Sequence, residues 1–368
     1  MNLDPASEAR LFGRLAIKGH LQREQVETLF TQARAAQAAG APVSLASLAI
    51  EAGWIDRDRL ERLAATDGES VPELKGHTYL RKLGEGGTAN VFAVRRPDGR
   101  DVAVKILHEA IAEDPAQVRA FLAEAKLLAE LAHPNVVKGL KAGRLAGRYL
   151  SFMELVEGRT LQEAISEGGA FDEDGALYVV LQVARALDYL RTHGVVHRDI
   201  KPGNIMVRPD NEVKVIDLGF ALEGEGSGDA STTTGTAAYL SPEQARGQSD
   251  LDVRSDIYAL GATLYQLVLG ELPFQGDDEE LVQAAVLQGL SAAATKGGRI
   301  SQHMHYFIEK MMAKERELRY QSPHDLMADI EAQIEGKKSL DYQDDSADND
   351  AAARKRRLAR MKRRRGRR

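Results

Sequence analysis

The feature that most narrows the possible folds is a short hairpin with an oxygen-bearing residue at each end. Ile205 to Arg208 and Glu212 to Ile216 read as two strands around the turn-forming run Pro209-Asp210-Asn211, so the chain doubles back and carries Asp217 toward Asn204. The octet that enters the hairpin, His197-Arg198-Asp199-Ile200-Lys201-Pro202-Gly203-Asn204, supplies a second carboxylate in Asp199. An aspartate of near-normal pKa is ionised at neutral pH and can orient an alcohol, while the oxygens of Asn204 and Asp217 suit a hard cation. Such a set meets the demands of phosphoryl transfer, in which a cation neutralises phosphate charge and a carboxylate accepts a hydroxyl proton.

Around the hairpin the hydrophobic period changes from that of strands to that of helices. Tyr79 to Leu83, Val91 to Arg95, Asp101 to Leu107 and Tyr149 to Met153 read as strands. A helix is expected from about Pro115 to Leu131, with Phe121, Leu127, Leu128 and Leu131 on its apolar side. Another runs through Leu177, Val180, Leu181, Ala184, Leu187 and Leu190 to end at Gly194. The longest nearly uncharged apolar run, Ile257 to Gly270, spans 14 residues, which is too short to cross a bilayer and reads as a buried helix. The N-terminus carries Asp4 and Glu8 in place of an export pattern, and the chain has no cysteine, so no membrane insertion and a cytoplasmic location are expected.

A glycine-rich stretch, Gly84-Glu85-Gly86-Gly87-Thr88-Ala89-Asn90, joins the first two strands, and its backbone amides could fold over phosphates. Lys105 stands in the apolar run Val102-Ala103-Val104-Lys105, where a solvated lysine would have polar neighbours. With Lys201 two residues after Asp199, the octet resembles the catalytic loop of bacterial Hanks-type protein serine/threonine kinases. The resemblance extends over about residues 78–333, through Glu124, Glu154-Leu155-Val156, Asp217-Leu218-Gly219, Gly235 to Glu243, Asp256 and Arg319.

It implies an α+β, two-lobed fold with an antiparallel β N-lobe bearing one helix and a mostly helical C-lobe. It also implies ATP and Mg²⁺, and protein substrates phosphorylated on Ser or Thr. In that scheme Gly84, Glu85, Gly86, Gly87, Thr88, Ala89 and Asn90 cover the phosphates, Lys105 holds the α- and β-phosphates, and Glu124, rather than Glu130, holds Lys105. Leu83, Val91, Ala103 and Met206 sandwich the adenine, which bonds the Glu154 carbonyl and the Val156 amide. Asn204 and Asp217 hold Mg²⁺, Lys201 steadies the γ-phosphate and Asp199 orients the acceptor hydroxyl.

By the same resemblance Glu243 pairs with Arg319, Asp256 braces the catalytic loop, and Arg198 meets a phosphate placed on Thr232, Thr233 or Thr234. Three positions depart from the pattern: Ala89 for a glycine, Leu218 for a phenylalanine and Ser241 for an alanine. The rival reading is a scaffold of the same fold that binds nucleotide and partners without catalysis, but no residue that catalysis requires is missing.

Residues 1–65 hold a weak internal repeat. Leu15-Ala16-Ile17-Lys18-Gly19 returns as Leu48-Ala49-Ile50-Glu51-Ala52-Gly53, each copy reading as helix, glycine turn, helix with Asp56 capping the last. This small helical module could bind a protein partner. Residues 66–77, with Thr66-Asp67-Gly68-Glu69-Ser70, read as a linker. At the far end the net charge of −6 proves unevenly placed: residues 354–368 carry nine Arg and two Lys, so the rest of the chain carries −17. Residues 334–368 are therefore expected to form an acidic, then basic, disordered tail, whose basic end would attract nucleic acid or another polyanion.

Overall fold

A computed structural model of the chain describes residues 4–66, 68–69, 71–168, 170–218, 237–274, 276–277 and 299–334. The chain divides into two compact units, Met1–Ala129 with Gly139–Leu155, and Glu130–Lys138 with Val156–Arg368. The expectations for Thr232, Thr233 and Thr234 and for the charged tail lie outside the described residues.

The first unit opens with four helices, α1 (Pro5–Ile17), α2 (Arg23–Ala38), α3 (Leu45–Glu51) and α4 (Arg57–Ala65). Asp4 caps α1 by accepting from the amides of Ala6 and Ser7, and Asp56 caps α4 by accepting from Arg59. Gly19 and Gly53 follow the first helix of each pair at φ +72° and +67°, a left-handed turn that glycine makes without strain. The two halves of the repeat share a core of Leu11, Phe12, Leu15, Leu29, Ala49 and Leu60. A buried carboxylate also joins them, since Glu8 accepts from the first amides of α3, Leu45 at 3.0 Å and Ala46 at 2.9 Å.

Five antiparallel strands follow, β1 (Thr78–Glu85), β2 (Ala89–Arg95), β3 (Asp101–Leu107), β4 (Gly139–Leu145) and β5 (Arg148–Glu154), in the order β1-β2-β3-β5-β4. Register sorts their side chains. Val91 pairs with Lys105, Ala93 with Ala103 and Ala103 with Met153, so these share one face. The other face carries Phe92, Val94, Val102, Val104, Ile106, Leu150 and Phe152.

Part of the stretch expected as a linker, Val71 and Leu74, lies against that second face. Thr66 is buried, Leu74 enters the core and Val71 and Ala65 pack beside it, because an apolar sheet face needs a cover and these side chains provide it. Two helices, α5 (Glu109–Ala112) and α6 (Pro115–Glu130), connect β3 to β4. Gly139 at the start of β4 has no alternative, since a Cβ there would stand 2.6 Å from the backbone of Leu128 and Ala129.

The second unit is mainly helical, with α7 (Leu161–Gly168), α8 (Glu173–Thr192), α9 (Pro242–Ala245), α10 (Val253–Leu269), α11 (Gln302–Met311) and α12 (Pro323–Ile334). A small sheet, β6 (Arg159–Thr160), β7 (Ile205–Val207) and β8 (Val213–Val215), contains the hairpin that the sequence predicts. Every residue of α10 except Arg254 is buried. A Cβ on its Gly261 would come 2.7 Å from Met311, so glycine lets α10 and α11 approach closely. Among the described residues no helix is long and apolar enough to cross a membrane.

Candidate active site

In the second unit the octet His197 to Asn204 is held mainly by its backbone. Asp256, at the start of α10, accepts the His197 amide at 2.9 Å and the Arg198 amide at 2.7 Å. Burial pushes the Asp256 carboxyl up to about 7, against the downward pull of those two amides. Burial also pushes the His197 imidazole down to about 4; the ring is therefore neutral, and its Nδ1 accepts the Asp199 amide at 3.2 Å. Gln244 donates to the Arg198 carbonyl at 2.8 Å. Its own oxygen is taken by Ser241 in a capping box at the head of α9, so the Gln244 side chain is fixed at both ends.

This scaffold presents three side chains together. Asp199 Oδ2 accepts from Lys201 Nζ at 2.9 Å and from Asn204 Nδ2 at 2.8 Å. Asp199 Oδ1 is buried and, among the described residues, has no hydrogen-bond partner. Burial raises the Asp199 carboxyl, Lys201 and Asn204 pull it down, and the nearby charge of Asp217 raises it further. The net upward direction differs from the near-normal value expected of this residue, because the sequence does not show its burial.

Asp217 lies two residues beyond β8, and the intervening Ile216 amide donates to the Asn204 carbonyl at 3.0 Å, so the hairpin brings the two ends together. Asn204 Nδ2 also donates to the Asp199 carbonyl at 2.8 Å, which leaves the Asn204 side-chain oxygen for a cation. One amide oxygen and one carboxylate make a hard, incomplete ligand set. That suits Mg²⁺, which keeps waters and substrate phosphates in its sphere and does not require a cage. Accordingly, among the described residues no group of three His, Cys, Asp or Glu converges.

Glu243, the second residue of α9, belongs to a buried ion pair. Arg319 donates to Glu243 through Nη1 at 2.6 Å and Nη2 at 2.8 Å, and Ser255 adds a hydrogen bond to Glu243 at 2.8 Å. Burial would raise Glu243, yet Arg319 and Ser255 hold it below the usual carboxylate range. The guanidinium also lies over the Tyr258 ring, 4.9 Å from its centroid.

In the first unit Lys105 Nζ lies 3.0 and 3.2 Å from the two Glu124 oxygens, both groups being nearly buried. Lys105 shares its sheet face with Val91, Ala103 and Met153. Leu83 and Val91 are half-buried in β1 and β2, and Glu154 ends β5; Val156 and Met206 belong to the second unit.

Strand pairing runs further into the glycine-rich stretch than expected. Gly84 and Glu85 belong to β1, and Ala89, Asn90 and Val91 to β2, leaving Gly86, Gly87 and Thr88 as the tip. A Cβ on Gly84 or Gly87 would meet nothing within 4 Å, and neither has a positive φ. Packing and backbone therefore do not demand these glycines, which fits a hairpin that another molecule approaches closely. The tip has a clasp that sequence reasoning missed. The His108 amide donates to the Thr88 carbonyl at 2.9 Å, and His108 Nε2 lies 2.9 Å from the Gly86 carbonyl.

The model of the protein kinase domain matches residues 77–329. A relative from Clostridium perfringens, named as a probable serine/threonine-protein kinase, is 37% identical over 71% of this chain and 39% of its own length. The serine/threonine-protein kinase PknB of Mycobacterium tuberculosis is 38% identical over 67% of this chain and 41% of its own. PknB of Mycolicibacterium smegmatis is 36% identical over the same shares. The chain thus spans about two fifths of the length of these relatives.

Proposed function

Because this chain belongs to the protein kinase family, we propose that it transfers the γ-phosphoryl group of ATP to serine and threonine hydroxyls of proteins. The observation that carries this reading is the asymmetry of Asp199. One carboxylate oxygen is held by Lys201 and Asn204, while the other is buried with no donor among the described residues. A buried acceptor is costly to leave unpaired, and an acceptor hydroxyl would satisfy it.

Asp199 then orients that hydroxyl and takes its proton as the oxygen attacks the γ-phosphorus and ADP leaves with the electrons of the broken P–O bond. Lys201, already beside Asp199, neutralises charge on the transferring group. Lys105, fixed by Glu124, binds the α- and β-phosphates, and the glycine hairpin, clasped by His108, covers them. Leu83, Val91, Ala103 and Met206 supply apolar surface for the adenine, with the Glu154 carbonyl and the Val156 amide as its hydrogen-bond partners. Asn204 and Asp217 would hold Mg²⁺, which supplies charge neutralisation at the phosphates. A self-directed reaction on Thr232, Thr233 or Thr234, read by Arg198, belongs to the same proposal.

The test is incorporation of labelled phosphate into the chain itself and into a generic protein substrate. Incorporation that depends on ATP and a divalent cation, and is lost in Asp199→Asn and Lys105→Met, is expected. Undiminished labelling in Asp199→Asn would overturn the reading.

A further inference from the structure

The helical module has no part in the reaction just described, yet a line of charged side chains runs from it to the glycine hairpin. Glu69 Oε1 accepts from Lys18 Nζ, at the C-terminal cap of α1, at 2.6 Å and from Lys82 Nζ, on β1, at 3.3 Å. Lys82 Nζ also donates to Glu85 Oε2 at 2.6 Å, and Glu85 is the last residue of β1 before the hairpin tip. Lys82 therefore has two anionic anchors, one in the segment descending from the module and one in the hairpin.

The bridge is built rather than incidental. Glu69 and Lys82 are 25% and 14% exposed. The backbone that presents Glu69 is fixed from both sides: the single Thr66 hydroxyl lies 3.0 Å from the carbonyls of both Arg62 and Glu69, and His20 Nε2 lies 2.8 Å from the Gly68 carbonyl. Burial would raise Glu69, but Lys18 and Lys82 hold it below its ordinary range; burial would lower Lys82, but Glu85 and Glu69 hold it above. Both groups stay charged. The module itself is seated on the sheet through Ala65, Val71 and Leu74, so the bridge starts from a fixed body.

We propose that the helical module positions the glycine-rich hairpin of its own chain, with Lys18 and Glu69 as positioning residues that act through Lys82. The proposal rests on the phosphotransfer reading in one respect, that the hairpin covers nucleotide phosphates. Without Glu69, Lys82 keeps only its hairpin partner, and β1 loses its tie to the module just before the tip. The hairpin then samples more arrangements, and nucleotide binding must restrict them, which weakens binding.

The experiment uses the full chain as Lys18→Met, Glu69→Gln, the double variant and, as a charge control, Arg23→Met, whose side chain is 89% exposed. KM for ATP and kcat are measured with a protein substrate, and Kd is measured directly with an N-methylanthraniloyl-labelled ATP. Partly exposed ion pairs are worth up to about 1 kcal/mol, equivalent to about five-fold in binding. Glu69→Gln should therefore raise KM for ATP and Kd by about three- to five-fold, and Lys18→Met by less, with kcat within about two-fold.

The double variant should be no worse than Glu69→Gln, and Arg23→Met should match the wild type. A purely structural strut would lower the melting temperature and leave KM and Kd alone, and that result in folded Lys18→Met and Glu69→Gln would overturn the proposal. A wild-type chain that binds no nucleotide would remove the phosphotransfer reading and this proposal with it. Nucleotide binding that neither variant shifts would overturn this proposal alone.

Discussion

The Arg198 amide donates to Asp256 Oδ1 at 2.7 Å while Arg198 holds φ at +68°, a conformation that non-glycine residues rarely adopt. A left-handed residue of this kind costs about 1 kcal/mol or more and persists only where its neighbours fix it. Here both peptide groups are fixed, the amide by Asp256 and the carbonyl by Gln244.

Replacing Asp256 with Asn should cost about 1.5–3 kcal/mol, because one of the two amides then loses its acceptor. The pH dependence adds a second signature. Burial raises the Asp256 pKa from 3.8 to about 7, so the folded state holds the proton more tightly than the unfolded chain. The stability this gives is fully present below the unfolded value and is lost as pH rises through the folded one. The stability gap between wild type and Asp256→Asn should therefore narrow between about pH 4 and 7 and level off above, as read by urea unfolding. A gap independent of pH would contradict the assignment.

Asp199→Asn preserves shape and removes the proposed base, and proton transfer to a positioned group contributes about 10²–10⁴-fold. A kcat loss in that range, with nucleotide affinity little changed, is expected. The raised pKa of Asp199 should place the acidic limb of kcat/KM above the ordinary aspartate range of about 4, with activity falling as pH drops through it. The limb should be absent from the residual activity of Asp199→Asn.

Lys105 and Glu124 lie 3.0 Å apart and are nearly buried, so removing one charge leaves the other poorly compensated. Glu124→Gln should raise KM for ATP by about ten-fold or more, because truncating a buried charge partner costs about 2–5 kcal/mol. Titration with labelled ATP measures this without turnover. Unchanged affinity would show that Glu124 does not prepare Lys105.

Arg319 and Glu243 are 0% and 2% exposed, and breaking such a pair from one side costs about 3–5 kcal/mol. Arg319→Met and Glu243→Gln should each lower the melting temperature sharply, and the double variant should lose less than the sum of the two. Additive losses would mean that the pair does not act as a unit.

Much of this was legible in the sequence because it is local or periodic. The apolar run Val102-Ala103-Val104 lay inside what proved to be β3, the turn residues 209–211 predicted the hairpin, and the resemblance to the kinases pointed to Glu124, rather than Glu130, as the acid beside Lys105. What escaped depends on side chains that meet across long stretches of chain. Lys18 and Glu69 are far apart in sequence, and the polar run Thr66-Asp67-Gly68-Glu69-Ser70 has the composition of a loose linker. Its seat on the sheet comes from Val71 and Leu74, too few apolar residues to show a period. The clasp by His108 was hidden for a similar reason, since half of it is a backbone amide, which every non-proline residue carries.

The two-faced register of β3 has a consequence for how this chain tolerates change. Val102, Val104 and Ile106 point into the core beneath the helical module, while Ala103 and Lys105 stand on the opposite face. A saturation mutagenesis scan along Asp101–Leu107 should therefore show two interleaved kinds of damage. Substitutions at even positions should deplete the amount of chain that survives in the cell, as cavities or buried polar groups unfold it. Leu107 is buried with Ala89 and Phe121 and should behave as the even positions do, whereas substitutions at Lys105 should lower the output of each molecule more than its abundance, so a scan scored on abundance alone would pass over the lysine.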